Sequence, residues 1–152
     1  MTAHAAAARR PRRKTAPRYV LEDQVGFILR QVSQRHATIF ASLIAHDLTP
    51  MQFAALVKLH DEGSISQNAL GRLTAMDAAT IKGVIDRLSA RGFIEANPHP
   101  EDARLRLLNL TPLGRATVEN AVPQATAITE ETLAPLDGEE REILVGLLRR
   151  LR

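Results

Sequence analysis

Thr74-Ala75-Met76-Asp77, then Ala78-Ala79-Thr80-Ile81-Lys82-Gly83-Val84-Ile85-Asp86-Arg87-Leu88, then Arg91-Gly92-Phe93-Ile94 is the stretch on which the fold hinges. Ile81, Val84, Ile85 and Leu88 recur at helical spacing and form one apolar face. Asp77 stands where an N-cap accepts from the first turn, and Gly92 where a helix stops. Upstream, a short helix from about Ser66 carries Leu70 and Leu73, and Thr74-Ala75-Met76 turns the chain. Two helices joined by three or four residues, the second amphipathic, describe a helix-turn-helix.

The next segments add a wing. Phe93-Ile94-Glu95-Ala96 and Leu105-Arg106-Leu107-Leu108-Asn109-Leu110 read as two strands, and the Pro, Asn and Asp residues of 97–102 demand a turn between them. Before the motif, Leu48-Thr49-Pro50-Met51-Gln52-Phe53 is a helix start. Thr49 caps, Pro50 takes the first helical position, Gln52 closes the capping box, and Leu48 and Phe53 are placed as a hydrophobic staple. That helix runs to about His60, with Gly63 to end it.

Long amphipathic helices flank this lobe. Tyr19 to Ala45, with Leu21, Val25, Ile28, Val32, Ile39 and Leu43 mostly three, four or seven apart, predicts six or seven turns. Thr111-Pro112 starts another helix towards Leu133, which Pro123 should break or kink. Asp137 and Glu140 box the last helix, striped by Ile143, Leu144, Leu147, Leu148 and Leu151. These stripes are wider than one small core covers, so Val25, Ile28, Leu133, Ile143, Leu144, Leu147 and Leu148 are candidate dimer contacts. The fold class is mainly α with a small β-hairpin wing: a winged helix-turn-helix at 48–110, flanked by dimerisation helices at 19–47 and 111–152, in one domain.

Length and charge fit this plan. A chain of 152 residues, 45% hydrophobic, buries a core without staples, and the absence of Cys excludes disulfides, thiolate metal sites and thiol redox sensing. The net charge of +3 is uneven. Arg9, Arg10, Arg12, Arg13, Lys14 and Arg18 precede the first acid, Glu22, leaving 14 basic groups against 17 acidic ones beyond them, a net of −3. Residues 1–18 are predicted to be a disordered basic tail, free either to lie along a phosphate backbone or to stay solvated. No apolar run reaches the roughly 18 residues of a membrane helix. A cytoplasmic protein, on the bacterial nucleoid when bound to DNA, is expected.

A winged helix-turn-helix puts its second helix in the major groove and its hairpin tip at phosphate or in the minor groove. The side opposite Ile81 and Leu88 offers Ala78, Ala79, Thr80, Lys82, Gly83 and Arg87. Thr80 suits a base, a phosphate or a thymine methyl; Lys82 suits a guanine edge or phosphate, or is simply a solvated lysine. Ser66 and Gln67 join the candidate DNA contacts at the start of the motif. Arg104 stands at the wing tip, ready for a narrow minor groove or for pairing with Asp102 or Glu101, and Arg106 follows two residues on.

Taken in order, Leu48–Phe53, Met76–Thr80, Asp86-Arg87-Leu88, Arg91–Ile94, Asp102-Ala103-Arg104 and Leu110–Gly114 resemble the MarR-type winged-helix transcriptional regulators. The resemblance implies a homodimer reading a palindromic double-stranded operator, with Arg104 as the wing arginine and Asp102 as the wing aspartate. It also implies a repressor released by a small-molecule effector, such as an aromatic carboxylate or its thioester, bound between the dimer helices and the DNA lobe. Arg35, His36, Phe40, Met51, Phe53 and Val57 are the candidate effector contacts. This chain departs from the family in having Ala103 where a second arginine is common and Glu95-Ala96-Asn97 where basic residues are common, so its wing is less basic.

Two other readings stand beside this one: a winged-helix dimer that docks on proteins, and a metal-responsive repressor. His36, His46 and His60 lie near helix ends without a tight ligand pattern, so no metal site is assigned. No GxSxG, GxGxxG or phosphate-binding glycine loop is present, and no cofactor or catalytic residue is expected.

Overall fold

The computed structural model describes residues 18–102 and 104–152. Helix α1 (Val25–Leu43) is followed by α2 (Pro50–Glu62), β1 (Ile65–Ser66), α3 (Gln67–Leu73), α4 (Ala78–Ala90), β2 (Ile94–Pro98), β3 (Arg106–Leu110), α5 (Pro112–Leu133) and α6 (Gly138–Arg150). Among the described residues, no helix is long and apolar enough to cross a membrane.

Helix starts follow local chemistry. Thr49 and Gln52 form the reciprocal capping box of α2, and Asp137 and Glu140 that of α6. Ser66, Asp77 and Thr111 cap α3, α4 and α5 through their side chains. Each such cap satisfies a backbone N–H that would otherwise be left to water.

Three expectations are corrected. The first helix has about five turns, not six or seven. The Gln24 side-chain amide donates to Val20 O at 2.8 Å and locks a 3₁₀ turn at Leu21–Asp23, so α1 begins only at Val25. The hydrophobic stripe hides this because Leu21 and Val25 are four apart in either conformation. Pro123 does not break α5, which runs through it for 22 residues. The ring removes the N–H that would have reached the Glu119 carbonyl and crowds that carbonyl, a local cost that does not end the helix; an unbroken span excludes the break, not a kink. The wing strands extend to Pro98 on one side and start at Arg106 on the other, and a third strand, β1, joins them.

The sheet is antiparallel in the order β1-β3-β2, with Ile65 opposite Leu108 and Ile94 opposite Leu110. The core is continuous from stem to lobe. Phe40 and Ile44 of α1 and Val118, Ala121 and Ile128 of α5 join Leu56 and Leu59 of α2, Leu70 of α3, and Ile81, Val84 and Leu88 of α4. Outside this core, Val25 and Val32 of α1 and Ile143 and Leu147 of α6 remain exposed, and α6 buries no residue.

Candidate nucleic-acid interface

Burial of Ile81, Val84, Ile85 and Leu88 fixes which side of α4 faces outward. Ala78, Ala79, Lys82, Asp86 and Arg87 are exposed, while Thr80 and Gly83 are half-buried at the margin. The N-terminus of α4 is held by Asp77, whose Oδ1 accepts from Thr80 N–H at 2.7 Å. That N–H, and next the Thr80 hydroxyl, hold the Asp77 carboxyl below the usual carboxylate range. Ahead of it the turn passes through Ala75 at φ 53°, a left-handed conformation that is costly for a residue with a Cβ.

Lys82 lies on the outward face, but not alone. Its Nζ is 2.6 Å from Asp86 Oδ2, both side chains well exposed. Asp86 therefore shares the face with Lys82, an acid beyond the six residues that the apolar stripe points to. An exposed i,i+4 pair is worth only about 0.3–0.5 kcal/mol, so it opens readily when a phosphate or base edge competes. Arg87 folds back along the helix, its guanidinium 3.6 Å from where a Gly83 Cβ would stand.

At the wing, Asp102 organises Arg104. Oδ1 accepts from Arg104 N–H at 3.0 Å and Nε–H at 3.1 Å, and Oδ2 from Nη2–H at 3.3 Å. The Arg104 side chain, first, and its backbone N–H, second, lower the Asp102 pKa. The Arg104 side chain is nonetheless 90% exposed and so is presented outward on a carboxylate mount. His99 N–H donates to Leu105 O and Leu105 N–H to Asp102 O, each at 2.9 Å, closing the tip. Arg106 differs from expectation. Arg104 lies in the turn before β3 rather than on a shared strand face, and Arg106 Nη2–H donates across the hairpin to Ala96 O at 2.9 Å. Ser66 and Gln67 are half-buried, with Ser66 Oγ accepting from Ala69 N–H at 3.3 Å as the α3 cap.

The six candidate effector residues do not converge on one cavity. Arg35 donates to Thr132 O at 2.5 Å and Glu131 O at 3.0 Å, and His36 Nδ1 is 2.9 Å from Thr132 Oγ1, so both tie α1 to the end of α5. Phe40 is buried, its ring 6.0 Å from that of Phe53 in an edge contact. Met51 is exposed beside Pro50 and the turn, whereas Phe53 and Val57 line a separate cleft with Leu73. Among the described residues, no group of three His, Asp or Glu is placed to hold a metal ion.

Comparison with known proteins places this geometry. Residues 48–105, the winged lobe, match the MarR family model. The chain is 38% identical over 134 residues to the HTH-type transcriptional repressor NicR of Pseudomonas putida, covering 88% of this chain and 85% of that one. The chain belongs to the MarR family. It is similar to the crystal structure of a probable transcriptional regulator from Pseudomonas aeruginosa, with 53% identity, a TM-score of 0.85, and coverage of 88% of this chain and all of that one. It is also similar to Bordetella bronchiseptica BpsR, whose DNA binding is regulated by 6-hydroxynicotinic acid, with 43% identity, a TM-score of 0.83, and coverage of 88% and 96%.

In this MarR-family regulator a long-range contact also lies outside what the sequence pattern shows. Arg91 donates to the backbone carbonyls of His46 and Asp47, and its guanidinium stacks 4.7 Å over the Phe93 ring. His46 and Asp47 have φ of 62° and 47°, so Arg91 braces a sharp corner between α1 and α2 from the end of α4. The partners are 44 and 45 positions apart, and no local pattern announces such a contact.

Proposed function

We propose that this MarR-family regulator is a homodimeric repressor that reads a palindromic duplex and leaves it when an aromatic carboxylate or its thioester binds. Helix α4 lies in the major groove through Ala78, Thr80, Lys82 and Arg87, with Ser66 and Gln67 at the backbone. Arg104 lies in the flanking minor groove, with Arg106 behind it. The observation that carries the reading is the mounting of Arg104: nearly full exposure of a side chain whose guanidinium is held by Asp102. The regulated DNA binding of BpsR supports the effector class. Its place as a cytoplasmic, non-catalytic protein rests on family membership, and 48–110 is assigned as the DNA lobe between dimerisation segments 19–47 and 111–152.

Selection of duplexes from a random pool, then binding anisotropy over a salt series, tests this. A palindrome with half-sites about one helical turn, roughly 10 bp, apart is expected, with affinity falling steeply with salt. Lys82→Ala should cost about 1–3 kcal/mol if Lys82 reads a base edge, and Arg104→Ala should weaken binding likewise. A second reading has its own observation: Lys82 and Arg104 each lie against a carboxylate, as on a face that docks a protein. If both variants bind the selected duplex as tightly as wild type, that reading replaces the first.

A further inference from the structure

In a helix-turn-helix the first helix crosses the DNA backbone while the second enters the major groove, so α3 is placed to touch phosphate. Ser66 and Gln67, at its start, are half-buried, and Ser66 Oγ serves as the helix cap. Asn68 and Arg72 are exposed and, four apart on a helix, share one face. They line a cleft of about 380 Å³ that α3 forms with the start of α4, where Ala78 is exposed. Gly71, Met76 and Ile81 make its floor. The two helices are held closely there. A Cβ on Gly71 would stand 3.2 Å from Met76 O and 3.3 Å from Ile81 Cγ2. Met76 N–H donates to Gly71 O at 2.9 Å and the Thr74 hydroxyl to Leu70 O at 2.7 Å. The position of Arg72 relative to α4 is therefore fixed by backbone packing and hydrogen bonds.

Arg72 also differs from the cations assigned to the DNA face. Lys82 is paired with Asp86, Arg104 with Asp102, and Arg106 Nη2–H donates to Ala96 O. Arg72 takes part in no ion pair among the described residues, and no acid lines its cleft. The neighbouring Asp77 carboxylate caps α4 and lines the separate cleft beside Pro50 and Met51. A phosphate arriving at Arg72 has no counter-charge to displace. Resting on the DNA-binding reading above, we infer that Arg72 is a backbone anchor, its guanidinium on a phosphate at the edge of the major groove and the Asn68 amide donating beside it. A guanidinium suits this task because two of its N–H groups can reach one phosphate together. The contact carries no base information. It sets the register at which α4 enters the groove.

The test measures binding anisotropy of the full chain on the selected duplex over a salt series, for wild type, Arg72→Gln, Arg72→Lys and Asn68→Ala. Losing one phosphate contact per subunit of a dimer should flatten the slope of log affinity against log salt by about 1.8 in Arg72→Gln. Its affinity should fall about tenfold or more near 0.1 M salt, and the gap should close as salt rises. Arg72→Lys should keep the wild-type slope. Asn68→Ala should weaken binding at unchanged slope, since a neutral amide releases no counterion. Duplex selection repeated with Arg72→Gln should return the wild-type palindrome. Arg72→Ala replaces Arg72→Gln if that variant fails to fold. If Arg72→Gln matches wild type in slope and affinity, the inference falls and the DNA-binding reading stands. If its selected sequence changes at one position, Arg72 reads a base and the phosphate assignment falls. If wild type enriches no duplex, the DNA-binding reading falls and the inference with it.

Discussion

Gly114 lacks a side chain because Phe93 leaves no room for one: a Cβ there would stand 1.9 Å from the Phe93 carbonyl oxygen. The same carbonyl, just ahead of β2, accepts Thr111 N–H at 3.0 Å, and the Thr111 hydroxyl donates to Gly92 O at 2.6 Å, so the start of α5 is bolted to the base of the wing by backbone and side chain together. Gly114→Ala must push α5 off the sheet and should cost roughly 3 kcal/mol, read as a fall in denaturation midpoint at unchanged m-value. Asp77 makes a different kind of residue-scale statement. Its folded pKa is depressed, chiefly by the Thr80 N–H, so its contribution is complete above the unfolded pKa and is lost as pH falls through the folded one. Asp102, lowered first by the Arg104 side chain, acts in the same direction. Asp77→Ala should therefore lower the thermal midpoint at pH 7, and the gap from wild type should close on acidification between about pH 5 and pH 2. A gap that stays constant over that range would show that the carboxylate is not the cap.

At the scale of elements, the signals that survived from sequence to structure are those carried by a few neighbouring residues. Thr49-Pro50 with Gln52, Asp77, Thr111-Pro112 and Asp137 with Glu140 all start helices where their side chains dictate, because a cap is a three-residue bond. Strand β1 was illegible, since Ile65 and Ser66 are too short to show alternation and exist as a strand only against Leu107 and Leu108. The brace between α4 and the α1–α2 corner was illegible for the same reason, its partners being remote in sequence. The candidate DNA face was largely readable from the stripe of α4. Asp86 shares that face by its i,i+4 spacing from Lys82, a signal carried by the charges and not by the apolar stripe. Arg91→Met should keep the stack on Phe93 in part but release the His46 and Asp47 carbonyls, freeing the corner. The expected result is weaker binding to the selected duplex with secondary structure intact, although Arg91 is not a candidate DNA contact. Faster amide exchange at 44–49 would locate the loosening. Unchanged exchange and unchanged affinity would reduce the brace to a surface contact.

At the scale of the molecule, the core closes around the lobe and the inner sides of α1 and α5, but it stops short of the stem's outer faces. Val25 is 68% exposed, Ile143 54% and Leu147 49%, on helices whose stripes predicted burial. A monomer in water gains nothing from ordering these side chains apolar side out, whereas a twofold pair buries both copies with one surface. Joining two lobes by their stems also sets the distance between two α4 helices, which is what a palindrome measures. Dimerisation and operator affinity are then one linked equilibrium. Leu147→Glu should place two like charges in the shared face, shift the sedimentation of the chain from dimer towards monomer, and lower operator affinity. The loss should deepen on dilution, because each bound complex first requires the pair. The lobe itself should be spared: α6 buries no residue in the single chain, so the variant's far-UV spectrum should match wild type. A variant that stays dimeric at nanomolar concentration, or a monomer that binds the full palindrome as tightly as wild type, would move the dimer interface away from α6.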